Sequence, residues 1–423
     1  MNKIESTSLN LEQHNIEEVK KLFPNAVTEG KIDFEKLKLL LGENLEERNE
    51  KYQFTWNGKS KAIKLAQAPS TSTLRPVKED SVNWDSTENI YIEGDNLEVL
   101  KQLQKTYFGK IKMIYIDPPY NTGNDFVYKD DFKVSLKNYK EQTNQSKSSN
   151  AETSGRYHTE WMNLIYPRLM LAKNLLSNNG VIFVSIDDSE YSNLVKILNE
   201  IFGETNYVGS MVRKRRNSQA NLSKNISTIH EYIVAFSKKD DDILNKVPGK
   251  INKNAYKNKD NDPRGPYVTM PCTNKGGAVY QVQTPTGEMI TEEWRFKKET
   301  YERLLNDNRI VFPREGKGKP RYKLFLKDKI EEGVIPNTWL DQLPPNQEAT
   351  RELKTLFGDM VLFNNPKPVG LIEYILEMGS NKDSTILDFF SGSATTAHAV
   401  MKLNAEDGGK RKFIMVQLPE KNG

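Results

Sequence analysis

The chain has 423 residues, 36% hydrophobic and 28% charged, with a formal net charge of +4; that length exceeds one ordinary domain of roughly 100–200 residues and calls for a large core with additions. No apolar run reaches the roughly 18 residues of a bilayer span, and the opening MNKIESTSLNLEQ lacks the apolar core of a signal peptide, so no membrane partner is expected and the cytoplasm is the expected location. The single cysteine, Cys272, excludes an intramolecular disulfide, and with four histidines no metal site is expected.

Residues 1–55 are charged and read as a helical N-terminal region, with an amphipathic stretch from Phe34 to Leu41 stopped by Gly42. Residues 56–87 show little periodicity and many Ser, Thr and Pro, and read as a connecting segment. Within it, Asn57-Gly58-Lys59-Ser60 looks like the end of a phosphate-binding loop, but Gln53 stands where the leading glycine belongs. From residue 89 the texture changes. NIYIEGD (89–95) predicts a short strand, NLEVLKQLQKTYF an amphipathic helix, and KMIYIDPPY (112–120) an almost wholly apolar strand entering a Pro-Pro turn. Continuous apolar runs of this kind suit strands covered on both faces of a parallel sheet.

Residues 135–156 are rich in Ser, Asn and Lys and read as a mobile loop. A long helix is expected from about Thr159 to Leu176, a buried strand over 180–188, a helix in SEYSNLVKILNEIF, and strands in YVGSMVRKR and EYIVAFSK. The rhythm breaks over 240–345, where Lys, Asn, Gly and Pro dominate; this reads as an inserted module. It then returns: a helix in NNPKPVGLIEYILEM, a buried strand over 384–390, a Gly-containing turn into a helix in SGSATTAHAVMK, and a last strand over 412–420. Alternation at this spacing predicts a doubly wound α/β sheet. Basic residues gather in VRKRR (212–216) and PREGKGKPRYK (313–323), which fits a phosphate-tracking surface better than scattered charge does.

Two motifs carry chemistry. The first is Asp117-Pro118-Pro119-Tyr120 at a strand end, where open α/β sheets place their ligands. An exocyclic amino nitrogen is a poor nucleophile, because its lone pair is delocalised into the ring. A carboxylate and a rigidly directed carbonyl can accept its two hydrogens and favour the tetrahedral geometry of attack; Asp117 and the carbonyl of Pro118 offer these. Tyr120 can stack on the base. The second motif is Asp388-Phe389-Phe390-Ser391-Gly392-Ser393-Ala394-Thr395-Thr396, a strand entering a small-residue turn that opens a helix. Such a turn lets backbone approach a ligand closely and offers free N–H groups. By itself it is shared by many nucleotide-binding folds.

Together the two motifs resemble the amino-methyltransferases that act on DNA. Their order, DPPY first and D-x-F-x-G-S-x-T-T last with an insertion between, matches the circularly permuted β class. Within that class the chain resembles the modification (Mod) subunits of type III restriction-modification systems, through residues 56–76, 90–132, 157–176, 364–372 and 388–396. The resemblance implies a mostly parallel, seven-stranded, doubly wound α/β methyltransferase sheet. Residues 56–239 would be its catalytic half, 240–345 an inserted target-recognition module, and 346–423 a cofactor-binding half truncated at its C-terminus. It implies transfer of a methyl group from S-adenosylmethionine to adenine N6 in double-stranded DNA, a Res helicase–nuclease partner and a homodimer. Cytosine-N4 relatives usually carry Ser at the first motif position, so Asp117 favours adenine.

By the same resemblance Asp117, Pro118, Pro119 and Tyr120 are the catalytic residues, and Asp388, Phe390, Gly392, Ser393 and Thr395 bind the cofactor. Asp95 matches an acidic residue on the cofactor's adenine, although capping the following helix is an alternative for the same side chain. Lys367, in Lys367-Pro368, is expected to pair with the cofactor's carboxylate. Relatives often carry an acidic residue for the ribose after the last strand; Gln417 stands there, with Glu420 three residues on. Pro271-Cys272 invites a cytosine-C5 nucleophile, but the cysteine lies in the insertion and is expected to be incidental. Access to a base in a duplex requires flipping it out, with the 240–345 module as the expected reader and the 135–156 loop as a candidate cover. A solitary β-class methyltransferase, and a truncated or non-catalytic recognition subunit, are the alternative readings.

Overall fold

A computed structural model describes residues 10–28, 31–41, 53–121, 152–217, 226–239, 243–249, 251–358, 363 and 365–419. They divide into two compact units, one made of residues 1–245 and 337–423 and the other of residues 246–336. In the first unit, strands and helices follow as β1 (Ile90–Glu93), α1 (Asn96–Tyr107), β2 (Ile111–Ile116), α2 (Glu152–Leu175), β3 (Leu176–Ile186), α3 (Tyr191–Phe202), β4 (Tyr207–Lys214) and β5 (His230–Ser237). After the second unit come β6 (Trp339–Leu340), α4 (Asn346–Phe357), α5 (Val369–Gly379), β7 (Thr385–Asp388), α6 (Thr395–Asp407) and β8 (Lys412–Gln417).

These strands form one eight-stranded sheet in the order β6-β4-β5-β3-β2-β7-β8-β1. The central pairs, β3 with β2, β2 with β7 and β7 with β8, are parallel, and β5 runs antiparallel to both its neighbours. The sheet is therefore the expected mostly parallel, doubly wound one, with one strand more than seven. The extra strand is β6. Residues 337–345, expected in the insertion, belong to the first unit because Trp339 and Leu340 pair with Val212 and Arg213 at the sheet edge.

The apolar runs behave as their composition demands. Ile111, Met113, Ile114 and Ile116 of β2 and Val181 to Val184 of β3 are fully buried, each such side chain contributing about 1.5–3 kcal/mol. α3 buries Leu194, Ile197, Leu198 and Phe202, the one-face spacing of an amphipathic helix. α5 ends at Gly379 against β2 and β3. A Cβ there would lie 2.6 Å from the Phe183 ring and 3.0 Å from the Met113 sulfur, so this approach requires glycine.

Outside the sheet, a helix over Phe34–Leu40 occupies the amphipathic N-terminal stretch, preceded by a helix over Leu11–Leu22. The segment read as a mere connection contains a helix over Lys59–Gln67, in which Ala62 and Ala66, one turn apart, are buried. Small residues at that spacing let it pack closely on α2, and Trp56 Nε1 donates to Asn163 Oδ1 at 2.7 Å just before it. The second unit is antiparallel. It has a three-stranded sheet of Ile310–Val311, Arg321–Phe325 and Tyr267–Pro271, and a pair of strands, Thr273–Gln283 with Met289–Trp294. Cys272, Val282, Trp294 and Tyr301 form its core. Among the described residues no helix is long and apolar enough to cross a membrane, and no cluster of His, Cys, Asp and Glu could hold a metal ion. The 135–156 loop expected from composition lies outside the described residues up to 151.

Candidate functional site

Chain order reverses between β2 and β7. From β2 the sheet grows one way through β3, and from β7 the other way through β8. Met113 pairs with Ile386 and Ile114 with Leu387, so two motifs far apart in sequence leave the same edge of the sheet side by side. A cavity of about 720 Å³ opens there, the position at which doubly wound sheets bind ligands. Asp117, Pro118, Pro119, Tyr120, Lys367, Asp388, Phe390, Gly392, Ser393, Thr395 and Gln417 all line it. Glu420 lies outside the described residues.

The turn after β2 is held from below. Trp161 of α2, fully buried, donates its indole N–H to the carbonyl of Pro119 at 2.7 Å. The carbonyl of Pro118 has no hydrogen-bond partner among the described residues. Asn121 follows in the left-handed conformation (φ 57°), and its side-chain amide donates to Glu190, which also meets His158 Nδ1 at 2.7 Å.

Lys367 meets the DPPY turn. Its ammonium lies 2.8 Å from each oxygen of Asp117 and 2.8 Å from the Tyr120 hydroxyl, and the residue is only 8% exposed. It is thus engaged with the DPPY turn. The reason is topological: the segment before α5 crosses above the β2 end, and Thr395 Oγ1 holds the Lys367 carbonyl at 3.1 Å. Behind the lysine stands Glu231 of β5, whose Oε2 is 3.7 Å from the ammonium and 3.3 Å from the Tyr120 hydroxyl. Arg213 of β4 faces Glu231 Oε1 at 3.1 Å, both residues being 1% exposed. Burial, with the charges of Asp117 and Glu231, raises the Tyr120 hydroxyl well above its ordinary range, so it stays neutral.

On the other side, Asp388 is buried at the end of β7 and accepts from Phe390 N at 3.0 Å and Thr396 Oγ1 at 2.6 Å. Burial outweighs these bonds and pushes its carboxyl up to about 7. Gly392 is left-handed (φ 53°), and a Cβ on it would meet the Phe363 ring at 3.3 Å. Its N–H donates to Gln417 Oε1 at 2.9 Å. The hydroxyl of Ser391, buried beside it, has no partner among the described residues.

Asp95 stands at the start of α1. Its Oδ1 caps α1, accepting from Leu97 N at 2.9 Å and Glu98 N at 3.1 Å, its Oδ2 faces Arg168 at 3.4 Å, and it does not line the cavity. Cys272 is buried in the second unit, with its thiol pushed up to about 12 by burial, which suits core packing rather than nucleophilic attack. Both basic runs are expected at the surface. Yet Arg213 is an internal ion-pair partner, and Lys323 is buried against Asp260 and Asp262, the latter at 2.8 Å. Arg215 and Arg216 of the first run do reach the cavity. Glu231, Trp161 and Phe363 escaped the sequence reading. The signal available for Glu231 was a lone charge heading the apolar strand EYIVAF.

Residues 111–421 match the N6/N4 family of DNA methylases, and the chain belongs to that family. The StyLTI Mod subunit, a type III restriction-modification enzyme of Salmonella typhimurium, is 36% identical over 396 residues, covering 90% of this chain and 60% of that one. The EcoP15I Mod subunit of Escherichia coli is 32% identical, covering 91% and 67%, and the type II methyltransferase M.KpnI of Klebsiella pneumoniae is 32% identical, covering 79% and 81%. The chain spans about 60% of the length of the StyLTI relative.

Proposed function

We propose that this chain methylates adenine N6 in double-stranded DNA, with S-adenosylmethionine as donor, as the Mod subunit of a type III restriction-modification system. One observation carries the reading: the DPPY turn and the small-residue loop after β7 line the same cavity. The site fits the donor. The orphaned Ser391 hydroxyl, the glycine whose added Cβ would crowd Phe363, and the polar side chain of Gln417 make a cradle for a ligand with hydroxyl and amino groups. Gly392, Ser391, Ser393, Thr395, Phe390 and Gln417 would hold it, with Asp388 shaping the loop from beneath. When bound, the donor supplies an electrophilic methyl carbon, whose bond to sulfur breaks, the electron pair going to sulfur, as the bond to nitrogen forms.

The chain's own residues act on the nucleophile. Asp117 accepts one hydrogen of the adenine amino group. The carbonyl of Pro118 accepts the other, since that of Pro119 is occupied by Trp161. Tyr120, neutral and half-buried at the cavity wall, presents a ring face for stacking. Asp117 is the acceptor for the proton that the nitrogen loses.

The same reading assigns double-stranded DNA as partner, with the 246–336 unit as reader of the groove, a homodimer, a Res helicase–nuclease partner for cleavage, and a cytoplasmic location. The 81% coverage of M.KpnI favours a second reading, a solitary methyltransferase. Labelled methyl transfer to mixed-sequence duplex DNA, with nucleoside analysis of the product, tests the activity: label in N6-methyladenine supports it, and label in cytosine overturns the base assignment. Co-purification with a helicase–nuclease separates the type III reading from the solitary one.

A further inference from the structure

Two carboxylates lie within reach of one ammonium at the DPPY turn. Lys367 binds both oxygens of Asp117 at 2.8 Å, while a second carboxylate, Glu231, waits 3.7 Å from the same nitrogen. Glu231 is buried. Yet its Oε1 has no hydrogen-bond partner among the described residues, because Arg213, 3.1 Å away, is not aligned to donate. Its other oxygen, Oε2, accepts only a long bond from the Tyr120 hydroxyl at 3.3 Å and lies 3.7 Å from the ammonium that also holds Asp117, so this buried carboxylate has acceptor capacity to spare on the side of Lys367.

We infer that Glu231 is a positioning residue: it is the second acceptor for the Lys367 ammonium, which leaves Asp117 for Glu231 when the target amino group arrives. The inference rests on the methyl-transfer reading above. Lys367 straddles both oxygens of Asp117, so an amino group arriving there shares them with an ammonium that weakens their pull on its hydrogens. Positive charge also builds on the attacking nitrogen, and an ammonium kept on Asp117 opposes it. A displacement of about 1 Å brings Lys367 to charge-assisted hydrogen-bond distance, ~2.8 Å, from Glu231. Arg213 keeps the set neutral in both arrangements: two cations, Arg213 and Lys367, face two anions, Glu231 and Asp117.

The test is a double-variant cycle on the full chain with unmethylated duplex DNA. Glu231→Gln leaves Lys367 on Asp117, so kcat falls at least tenfold. KM for DNA and the Kd of S-adenosylhomocysteine, measured by calorimetry, stay within twofold. Lys367→Met added to Glu231→Gln removes the competing ammonium, and the double variant turns over at least fivefold faster than Glu231→Gln alone. A merely structural glutamate gives a double variant no faster than the single one, and that result, or wild-type turnover in Glu231→Gln, overturns the inference. If Glu231→Gln melts early with Arg213 left unpaired, the same comparison is made in an Arg213→Met background, where charge balance is kept. Absence of transfer by the wild-type chain would instead sink the methyl-transfer reading, and the inference with it.

Discussion

The indole nitrogen of Trp161 donates to the carbonyl oxygen of Pro119 across 2.7 Å, joining the helix before β3 to the turn after β2. With that carbonyl occupied, the turn presents the carbonyl of Pro118 instead. Trp161→Phe keeps a buried aromatic ring but strands the Pro119 carbonyl. We expect about 1–2 kcal/mol lower stability from the unsatisfied acceptor, and a roughly tenfold fall in kcat as the turn loosens. Urea unfolding and steady-state transfer to DNA measure the two; unchanged kcat with lowered stability would confine Trp161 to packing.

Asp117→Ala removes the acceptor for the amino hydrogen. The expected loss is about 10²–10³-fold in kcat, the scale for one group that stabilises a transition state. S-adenosylhomocysteine affinity should remain within a few-fold, since the donor cradle lies on the loop after β7. Substantial transfer by this variant would count against Asp117 as the acceptor.

Asp388 makes stability depend on pH. Its carboxyl is pushed up to about 7 in the fold by burial, against about 3.9 in an unfolded chain. Between these values the folded state holds a proton that the unfolded state has released, so unfolding free energy falls as pH rises. The contribution is fully present below about pH 4 and fully lost above about pH 7. Asp388→Asn cannot titrate; the stability difference between wild type and variant should therefore shift toward the variant from pH 5 to pH 8. Equal differences at both pH values in urea unfolding would refute the buried-carboxyl account.

Gly392→Ala introduces a Cβ at φ 53° and 3.3 Å from the Phe363 ring. A strain of about 1 kcal/mol is expected from the backbone alone. Donor affinity should fall more than DNA affinity, which calorimetry with S-adenosylhomocysteine and DNA-binding titrations resolve separately.

Arg215 reaches the cavity mouth together with Arg216. Arg215→Ala should weaken binding to duplexes of any sequence and lower the slope of log K against log salt by about 1, the signature of one lost phosphate contact. An unchanged slope would remove Arg215 from the phosphate-contacting set.

Much of this was open to reading in one dimension. Strands β2, β3 and β5 were legible as continuous apolar, β-branched-rich runs, and α3 as a helix because its apolar residues recur every three or four positions. DPPY and the Asp388–Thr396 loop stood out because their residue types suit a particular chemistry at strand ends. Local composition failed where burial is decided by distant partners. Arg213 sits in a basic run that looks solvated, and only the approach of β5 to β4 turns it inward onto Glu231. Asp95 could cap a helix or touch a ligand, and only the geometry of α1 shows which hydrogen bonds its carboxylate makes.

By itself, then, the sequence determined the doubly wound class, the two motifs and the family they belong to, because strand periodicity and turn chemistry are local properties. Only the tertiary structure decided that Lys367 closes on Asp117, that Glu231 and Arg213 stand behind it, and that Trp161 leaves the carbonyl of Pro118 available. Those are meetings of strands and helices separated along the chain. They are set by sheet order and by the cost of burying unpaired charge, which no local pattern records.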